Sequence, residues 1–255
     1  MSPLPSITGV ISDLDGVVYR GAHPIPGARE AFAHWRARAV PCCFVTNNST
    51  RSAKDVAAHL CRLGVDASAR DVVTSAEATA DLLRARHAPG TPVQVIGSDN
   101  LRAVLAQAGF IDEGGAADIV VAGLDRQLRY ETLNRGVRNL LAGASLIGTN
   151  PDTLLPGNEG YDAGTGTLLA ALTAATGVVA EIVGKPRPHM IRTALARLGL
   201  PAAGVVMLGD RADTDIAAGQ AADLFSILVG PGTPGSASAT VRPDLHVGQL
   251  TELVA

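Results

Sequence analysis

The sequence predicts an α/β protein with a doubly wound parallel sheet, and three features support that prediction. Short apolar runs alternate along the chain with longer segments of helical periodicity. The apolar runs are continuous, which is typical of strands that are buried on both faces. Each run is followed by a helical segment, the connection that joins neighbouring parallel strands.

Strand–helix pairs are predicted near both ends of the chain. The N-terminal elements are a strand at 7–12, a helix at 27–39, a strand at 41–46 and a helix at 52–64. In the first helix, Ala28, Phe32 and Trp35 fall on one side, as packing against a sheet requires. The C-terminal elements are a strand at 205–210, a helix at 214–222 and a strand at 224–229.

The middle of the chain repeats the alternation. Strands are predicted at 92–98, 117–125 and 144–150, with helical segments between and after them. Periodicity alone leaves open whether these strands extend the first sheet or form a layer of their own. The segment 150–166 is rich in Gly, Pro, Asn and Asp, and is therefore predicted to be a loop.

Composition limits the classes of function. With 47% hydrophobic residues among 255, the chain can bury a sizeable core. The formal charge of −3 does not indicate a nucleic-acid or membrane surface. Neither a bilayer-spanning run nor a secretory signal is recognisable, so a cytoplasmic protein is expected. Cys42, Cys43 and Cys61 lack metal-ligand spacing and are expected to be buried, reduced thiols.

Polar residues follow three of the predicted strands and a fourth strand-like segment, AEIV at 180–183. They are Asp13 and Asp15, the segment 46–50 (TNNST), Lys185, and the group Asp210, Asp213 and Asp215. In open α/β sheets, ligands bind beyond the carboxyl ends of the strands. A single aspartate beside a glycine is often only a turn, but four such places in one chain indicate a shared site.

These residue types suit phosphate chemistry. Converging carboxylates need a cation, and oxygen ligands with few protein donors suit Mg²⁺, which also binds substrate phosphate. A lysine can neutralise an anion beside the metal, and a threonine hydroxyl and backbone N–H groups can hold phosphate oxygens. One carboxylate can attack phosphorus to give an aspartyl-phosphate, while a second donates and recovers a proton.

The segments DLDGVVYRG, FVTNNST, GKP and GDRADTDI, in this order, resemble the four motifs of the haloacid dehalogenase superfamily of phosphatases. TNNS, GDRxxTDI, TSAEATADLL and IGTNPDTLLP are similar to its subclass IIA, the p-nitrophenylphosphatase-like branch. The resemblance implies a Rossmann-like core at 1–78 and 184–255, with a smaller, mobile α/β cap inserted at 79–183. It also implies hydrolysis of a sugar, nucleotide, glycerol or pyridoxal phosphate.

The resemblance implies a role for each matching residue. Asp13 would be the nucleophile and Asp15 the general acid and base, while Lys185 bridges Asp13 and the phosphate. Mg²⁺ would be held by Asp13, the Asp15 carbonyl and Asp210, and Asp215 would support the metal site through water or Lys185. The expected phosphate-binding residues, besides Lys185, are Leu14, Thr46, Asn47 and Asn48.

Several residues keep two interpretations. Tyr161 and Asp162 could touch the substrate or belong to a solvated turn. The family often has proline where Ala163 stands, which leaves the substrate open. Asp213 is explained more readily as a cap of the following helix than as a catalytic group. Either Arg51 and Arg211 support the site or they lie at the surface.

Other classes of protein use similar residues. A dehalogenase of this fold needs no metal, so Asp15, Asp210 and Asp215 argue against one. A phosphomutase shares the covalent intermediate, and a non-catalytic binding protein could retain the site. A signalling receiver domain is much shorter and arranges its acidic residues differently. The expected partner is a small phosphorylated metabolite, without nucleic-acid polymer or membrane, and the resemblance adds a homodimer formed through the cap.

Overall fold

Two units make up the chain in the computed structural model, which describes residues 4–157, 160–232 and 240–254. We call them the core unit, Met1–Thr46, Ala53–Val73 and Lys185–Ala255, and the inserted unit, Asn47–Ser52 and Thr74–Gly184. These bounds differ from the predicted ones because they place 47–52, 74–78 and 184 in the inserted unit. That the inserted unit acts as a mobile cap stays a prediction.

The strands of the described residues are short, as is usual for α/β proteins. In chain order they are β1 (Gly9–Ser12), β2 (Tyr19–Arg20), β3 (His23–Pro24), β4 (Cys42–Thr46), β5 (Val72–Thr74), β6 (Val93–Ile96), β7 (Ile119–Ala122), β8 (Ser145–Gly148), β9 (Leu154–Gly157), β10 (Gly160–Ala163), β11 (Glu181–Ile182), β12 (Val205–Gly209), β13 (Phe225–Val229) and β14 (Leu245–Val247).

Helices follow most of the parallel strands. They are α1 (Ala28–Ala37), α2 (Ala53–Arg62), α3 (Ser75–Arg86), α4 (Asp99–Gln107), α5 (Tyr130–Leu141), α6 (Thr165–Thr176), α7 (His189–Leu198) and α8 (Ala217–Gln220), with 3₁₀ turns at Ala69–Asp71 and Leu250–Leu253. Within the part of the chain that the structure describes, none of these helices combines the length and the apolar character needed to cross a bilayer.

The core unit is built on a six-stranded sheet in the order β14-β13-β12-β1-β4-β5. Its middle strand, β1, pairs in parallel with β12 on one side and with β4 on the other. Every residue of β1 and β12 is buried, as expected for continuous apolar runs covered on both faces. Because these strands are parallel, their carboxyl ends share one edge of the sheet.

Aromatic side chains anchor helix α1 on this sheet. The ring of Phe32 lies 5.2 Å from that of Trp35 and 5.0 Å from that of Phe44, between ring centroids. The predicted apolar side of the helix, Ala28, Phe32 and Trp35, is buried. The surrounding cluster includes Val10, Leu14, Val17, Val56, Leu60, Val206, Leu208 and Ile227.

The inserted unit has a sheet of its own, in the order β11-β8-β7-β6, and all of its pairings are parallel. This answers the question that periodicity left open: the middle strands do not extend the first sheet. Its core includes Ile96, Val120, Leu140, Leu146, Leu169 and Leu172. Two helix-backed parallel sheets confirm the predicted fold class.

The loop predicted at 150–166 is wrong in part, because β9 and β10 form an antiparallel pair there. Leu155 pairs with Asp162, and Leu154 pairs with Ala163. Main-chain pairing needs no apolar pattern, so a segment rich in Gly, Pro and Asn can still form a hairpin. Residues 158 and 159 of the predicted loop lie outside the described residues.

The three cysteines have different environments, which corrects the expectation that all are buried. Cys43 is buried and Cys42 is half-buried, whereas Cys61 is exposed at the end of α2. Burial raises the pKa of Cys42 to about 12. Since the thiolate is the reactive form of cysteine, this thiol is unreactive near neutral pH.

Alkylation of the native protein should therefore be selective. With iodoacetamide at pH 8, we expect rapid modification of Cys61 and little modification of Cys42 or Cys43. The reason is that the Cys42 thiol stays protonated and the Cys43 thiol is buried. Peptide mass spectrometry after timed quenching measures this, and the same reaction in urea, where all three should react, is the control. Native Cys42 reacting as fast as Cys61 would contradict the packing around β4.

Candidate active site

Strands β1 and β12 bring two aspartates to one edge of the core sheet. The register pairs Ser12 with Leu208, so Asp13 and Asp210 both follow their strands at the carboxyl end. The backbone N–H of Asp13 donates to the carbonyl of Leu208 at 2.8 Å, which extends the ladder by one residue. Two side chains far apart in the sequence thus become neighbours.

Gly16 allows the chain to turn tightly after Asp13. Its φ is +87°, in the left-handed region that side chains disfavour. A Cβ at this position would also overlap the carboxylate of Asp210. Glycine at this position therefore lets the main chain of the DLDG segment approach Asp210 closely.

Asp215 completes a cluster of three carboxylates. Asp13, Asp210 and Asp215 each offer one oxygen, and these oxygens all lie within 4.8 Å of one another. Asp215 comes from a π-helical turn, Ala212–Ile216, where a helix was predicted only from residue 214. In this wide turn, the N–H of Ile216 reaches back to the carbonyl of Arg211, and the N–H of Arg211 donates to Asp215 Oδ2 at 3.1 Å.

Lys185 forms ion pairs with two members of this cluster. Its Nζ donates to Asp13 Oδ1 and lies 2.7 Å from Asp215 Oδ1. All four residues are nearly inaccessible, with exposed fractions of 8% for Asp13, 6% for Asp210, and 2% each for Asp215 and Lys185. A charged group so deeply buried is stable only with a partner of opposite charge.

The cluster carries more negative than positive charge. Burial raises the pKa of Asp13 well above its ordinary value, against the attraction of Lys185, and the charges of Asp215 and Asp210 add to the rise. Burial alone would lower the pKa of Lys185, but Asp13 and Asp215 outweigh it and raise that pKa. Lys185 is therefore a permanent cation that offsets only part of the carboxylate charge.

These residues fit a divalent cation. Three carboxylate oxygens within 4.8 Å form a hard, all-oxygen donor set of the kind that Mg²⁺ and Ca²⁺ prefer. A bound cation would also balance the negative charge that Lys185 leaves. Both the oxygen donors and the remaining negative charge therefore favour a divalent cation.

Three other predicted residues lie in the core unit around this cluster. The side chain of Asp15 is exposed and is not among the clustered carboxylates, and its main chain forms a bridge with Tyr19. Leu14 is buried in the apolar core, so only its backbone could contact a phosphate. Thr46 is buried at the end of β4, at the sheet edge where Asp13 lies.

The remaining predicted contacts belong to the inserted unit. Asn47 is half-buried and donates through Nδ2 to Asp152 Oδ2 at 3.1 Å. The side-chain oxygen of Asn48 accepts from both the N–H and the hydroxyl of Thr50, so Asn48 also shapes its own turn. Arg51 is exposed.

Tyr161 and Asp162 lie on β10 of the hairpin. Tyr161 is 76% exposed, and Asp162 accepts from Arg126 at 2.7 Å in an exposed ion pair. Asp162 is thus held by a partner within its own unit.

The structure gives Asp213 a different contact from the predicted helix cap. Its carboxylate binds Arg211 through two hydrogen bonds, at 3.2 Å to Nε and 2.9 Å to Nη2. The N–H of Arg211, at the start of this turn, donates to Asp215. Arg211 and Asp213 therefore stabilise the turn that carries Asp215.

Sequence reasoning missed a set of residues that bind the main chain and side chain of Asn47. They are Ser75, Asn150 and Asp152, from the segments TSAEATADLL and IGTNPDTLLP. The similarity of those segments to the subclass was the only available signal, and it assigned them no role.

A parallel α/β core with buried carboxylates and a lysine at the carboxyl ends of its strands is typical of α/β enzymes that bind their ligands at this edge. Comparison with known proteins makes the class specific. The chain matches the haloacid dehalogenase-like hydrolase family over residues 10–111, and a HAD-hydrolase-like family over residues 182–253. An acid sugar phosphatase of Staphylococcus aureus is 38% identical over 250 residues, covering 95% of each chain.

Solved structures of phosphatases also match this chain. A p-nitrophenyl phosphatase from Archaeoglobus fulgidus matches with a TM-score of 0.89 and 31% identity, over 98% of this chain and 99% of that one. A glycerol phosphate phosphatase from Mycobacterium tuberculosis, in complex with magnesium, matches with a TM-score of 0.90 and 36% identity, over 97% of this chain and 76% of that one. The chain belongs to the haloacid dehalogenase-like hydrolase family. The predicted family and enzyme class, a phosphoric monoester hydrolase, are confirmed.

Proposed function

We propose that the protein is a Mg²⁺-dependent phosphatase that hydrolyses a small phosphomonoester through an aspartyl-phosphate on Asp13. The observation that supports this most directly is the position of Lys185, whose Nζ binds both Asp13 and Asp215 in a buried site. A lysine placed there neutralises negative charge beside the nucleophile without competing as an acid, since it stays protonated.

The reaction would take place in two steps. In the first, a carboxylate oxygen of Asp13 bonds to phosphorus, the bond to the alcohol oxygen breaks, and Asp15 gives its proton to that oxygen. In the second, Asp15 takes a proton from water, the water oxygen bonds to phosphorus, and the bond between phosphorus and the Asp13 oxygen breaks. This releases inorganic phosphate and restores both aspartates. The exposed side chain of Asp15 suits a group that must meet both a leaving alcohol and water.

The side chains of Asp13 and Asp210, with the carbonyl of Asp15, would hold Mg²⁺, and Asp215 would support the site through Lys185. When bound, the cation supplies positive charge to the phosphoryl group during transfer. Gly16 leaves room for the Asp15 main chain beside the Asp210 carboxylate.

The remaining assignments concern the substrate. Thr46, Asn47, Asn48 and the backbone of Leu14 would hold phosphate oxygens, and the inserted unit would act as the cap. Tyr161 and Asp162 on its hairpin would contact the leaving group. The names of the relatives favour a sugar or glycerol phosphate. Cytoplasmic location and a homodimer formed through the inserted unit stay predictions.

Phosphate release from a panel of substrates tests the proposal. The panel contains p-nitrophenyl phosphate and sugar, glycerol, nucleotide and pyridoxal phosphates, each assayed with Mg²⁺ and with a chelator. We expect release that chelation abolishes and that added Mg²⁺ restores, because three clustered carboxylates need the cation to accept an anionic substrate. The substrate with the highest kcat/KM identifies the leaving group.

Two results would count against the proposal. Release that continues unchanged in the chelator would contradict the metal assignment. A folded, metal-loaded protein that releases no phosphate from any panel member would contradict the phosphatase mechanism. Single-turnover product analysis would then ask whether the phosphoryl group is returned to a sugar, as in a mutase.

A further inference from the structure

Asn47 is held by three side chains of the inserted unit. Its carbonyl accepts from the hydroxyl of Ser75 at 2.7 Å and from Nδ2 of Asn150 at 2.9 Å. Its side-chain amide donates to Asp152 at 3.1 Å. Both the main chain and the side chain of this residue therefore have fixed partners.

Asn150 is the central member of this group. While its Nδ2 donates to Asn47, its Oδ1 accepts from the N–H of Asp152 at 3.1 Å. The residue is 6% exposed, so neither bond is readily replaced by water. The buried side-chain amide of Asn150 thus fixes the carbonyl of Asn47. It also fixes the main chain of Asp152, whose carboxylate orients the side-chain amide of Asn47.

The same segment also approaches the residue before Lys185. The N–H of Gly184 donates to the carbonyl of Thr149 at 3.0 Å. A Cβ on Gly184 would lie 2.5 Å from that carbonyl oxygen and 2.6 Å from Oδ1 of Asn47, so only glycine fits there. Thr149 and Asn150 therefore contact the residues that follow Thr46 and precede Lys185 in the chain.

The carbonyl of Ser49, two residues after Asn47, also accepts hydrogen bonds from side chains of the inserted unit. It accepts from Nδ2 of Asn100 at 2.9 Å and from the hydroxyl of Ser98 at 3.3 Å. The segment from 47 to 49 is thus bound at two carbonyls by polar side chains of the inserted unit.

We propose that Asn150, assisted by Ser75, is a positioning residue that fixes Asn47 for binding the transferred phosphoryl group. The inference rests on the proposed function, because it takes the phosphate-binding role of Asn47 from there. Without the side-chain amide of Asn150, the Asn47 carbonyl keeps one of these two donors and the N–H of Asp152 loses its acceptor. A displacement of about 1 Å at a binding group can lower a rate about 10²-fold.

The Asn150→Ala variant tests this, and Asn139→Ala is a matched control. Asn139 is a buried amide of the same unit, 7% exposed, and it donates to Gln94 at 2.9 Å, so its loss removes a comparable buried bond. For Asn150→Ala we expect kcat/KM to fall about 10- to 100-fold on every panel substrate, by a similar factor whatever the leaving group. Asn139→Ala should leave kcat/KM unchanged.

Inhibition by inorganic phosphate provides a second readout, which a loss of stability alone would not change. Its competitive inhibition constant should rise in Asn150→Ala by a factor close to the fall in kcat/KM, and should not change in Asn139→Ala. Ser75→Ala, a milder change at the same carbonyl, should shift both quantities in the same direction by less. Assays run well below each variant's thermal midpoint keep all proteins folded.

The outcomes distinguish a failure of this inference from a failure of the proposed function. If the wild type is active with Mg²⁺ but Asn150→Ala keeps its kcat/KM and phosphate inhibition, the positioning role is overturned and the phosphatase stands. Equal losses in Asn150→Ala and Asn139→Ala would overturn it too, since they would reflect stability alone. If the wild type releases no phosphate, the proposed function fails, and the inference fails with it.

Discussion

The Asp13→Asn protein should lose phosphatase activity by about 10⁴-fold or more, since an amide is a poor nucleophile for phosphorus. Acid-quenched wild type should carry a phosphoryl group on the peptide that contains Asp13, detectable by mass spectrometry. The variant should carry none. Asp244→Asn is a suitable control, because this core-unit carboxylate accepts a structural bond from the N–H of Ser226, at 2.8 Å, which an amide oxygen can also accept.

Although Asp13→Asn should lower activity, it should raise the thermal stability of the metal-free protein. Without metal, burial opposes the charge of Asp13 and outweighs the attraction of Lys185, and the charges of Asp215 and Asp210 oppose it further. An asparagine keeps the shape of Asp13 without its charge, and Lys185 keeps its ion pair with Asp215. The metal-free variant should therefore unfold at a higher temperature than metal-free wild type. Mg²⁺ should raise the midpoint of the wild type more than that of the variant.

Thermal unfolding with chelator and with Mg²⁺ measures both effects. The assignment of Asp13 would be wrong if the variant retained activity close to that of the wild type. The charge argument would be wrong if the metal-free variant were the less stable protein.

Lys185→Met should destabilise the core unit by about 3–5 kcal/mol, the typical result of removing one partner from a buried ion pair. Asp13 and Asp215 would be left in a nearly inaccessible site without their common cation. Methionine has a similar length, so lost packing would contribute little. Activity should also fall steeply, because the positive charge beside the phosphoryl group is gone.

Urea unfolding followed by tryptophan fluorescence measures the change in the free energy of unfolding. The single tryptophan, Trp35, is buried in the core unit, so its emission reports on the unit that contains Lys185. The only other lysine in the sequence, Lys54, is exposed, and Lys54→Met is therefore the matched control. A loss of stability no larger than that of Lys54→Met would contradict the buried pairing.

Local sequence pattern was sufficient to predict which acidic residues lie together in the core unit. Continuous apolar runs identify β1 and β12 as strands buried on both faces, and parallel pairing brings the residues at their carboxyl ends to one edge. Asp13 and Asp210 could therefore be placed together in advance. The residue types predicted a lysine that offsets anionic charge at this edge, and only the bridging of Asp13 and the phosphate by Lys185 was implied by resemblance. The structure brings the Lys185 side chain to Asp13 and Asp215.

The same patterns failed where regular structure does not depend on apolar side chains. The β9–β10 hairpin was predicted to be a loop, because Gly, Pro and Asn hide strands that are held by main-chain pairing. The turn that carries Asp215 was predicted to be an ordinary helix. Its wide π-helical form depends on bonds from Arg211, which no periodicity reveals.

By itself, the sequence determined the buried parallel strands β1 and β12, the sheet edge where they end and the acidic residues that meet there, because burial and strand ends are local properties of a chain. Only the tertiary structure decided which residues hold Asn47. Its partners Ser75, Asn150 and Asp152 lie 28, 103 and 105 positions away. Hydrogen bonds over such separations arise from the packing of whole elements, which no short stretch of sequence specifies.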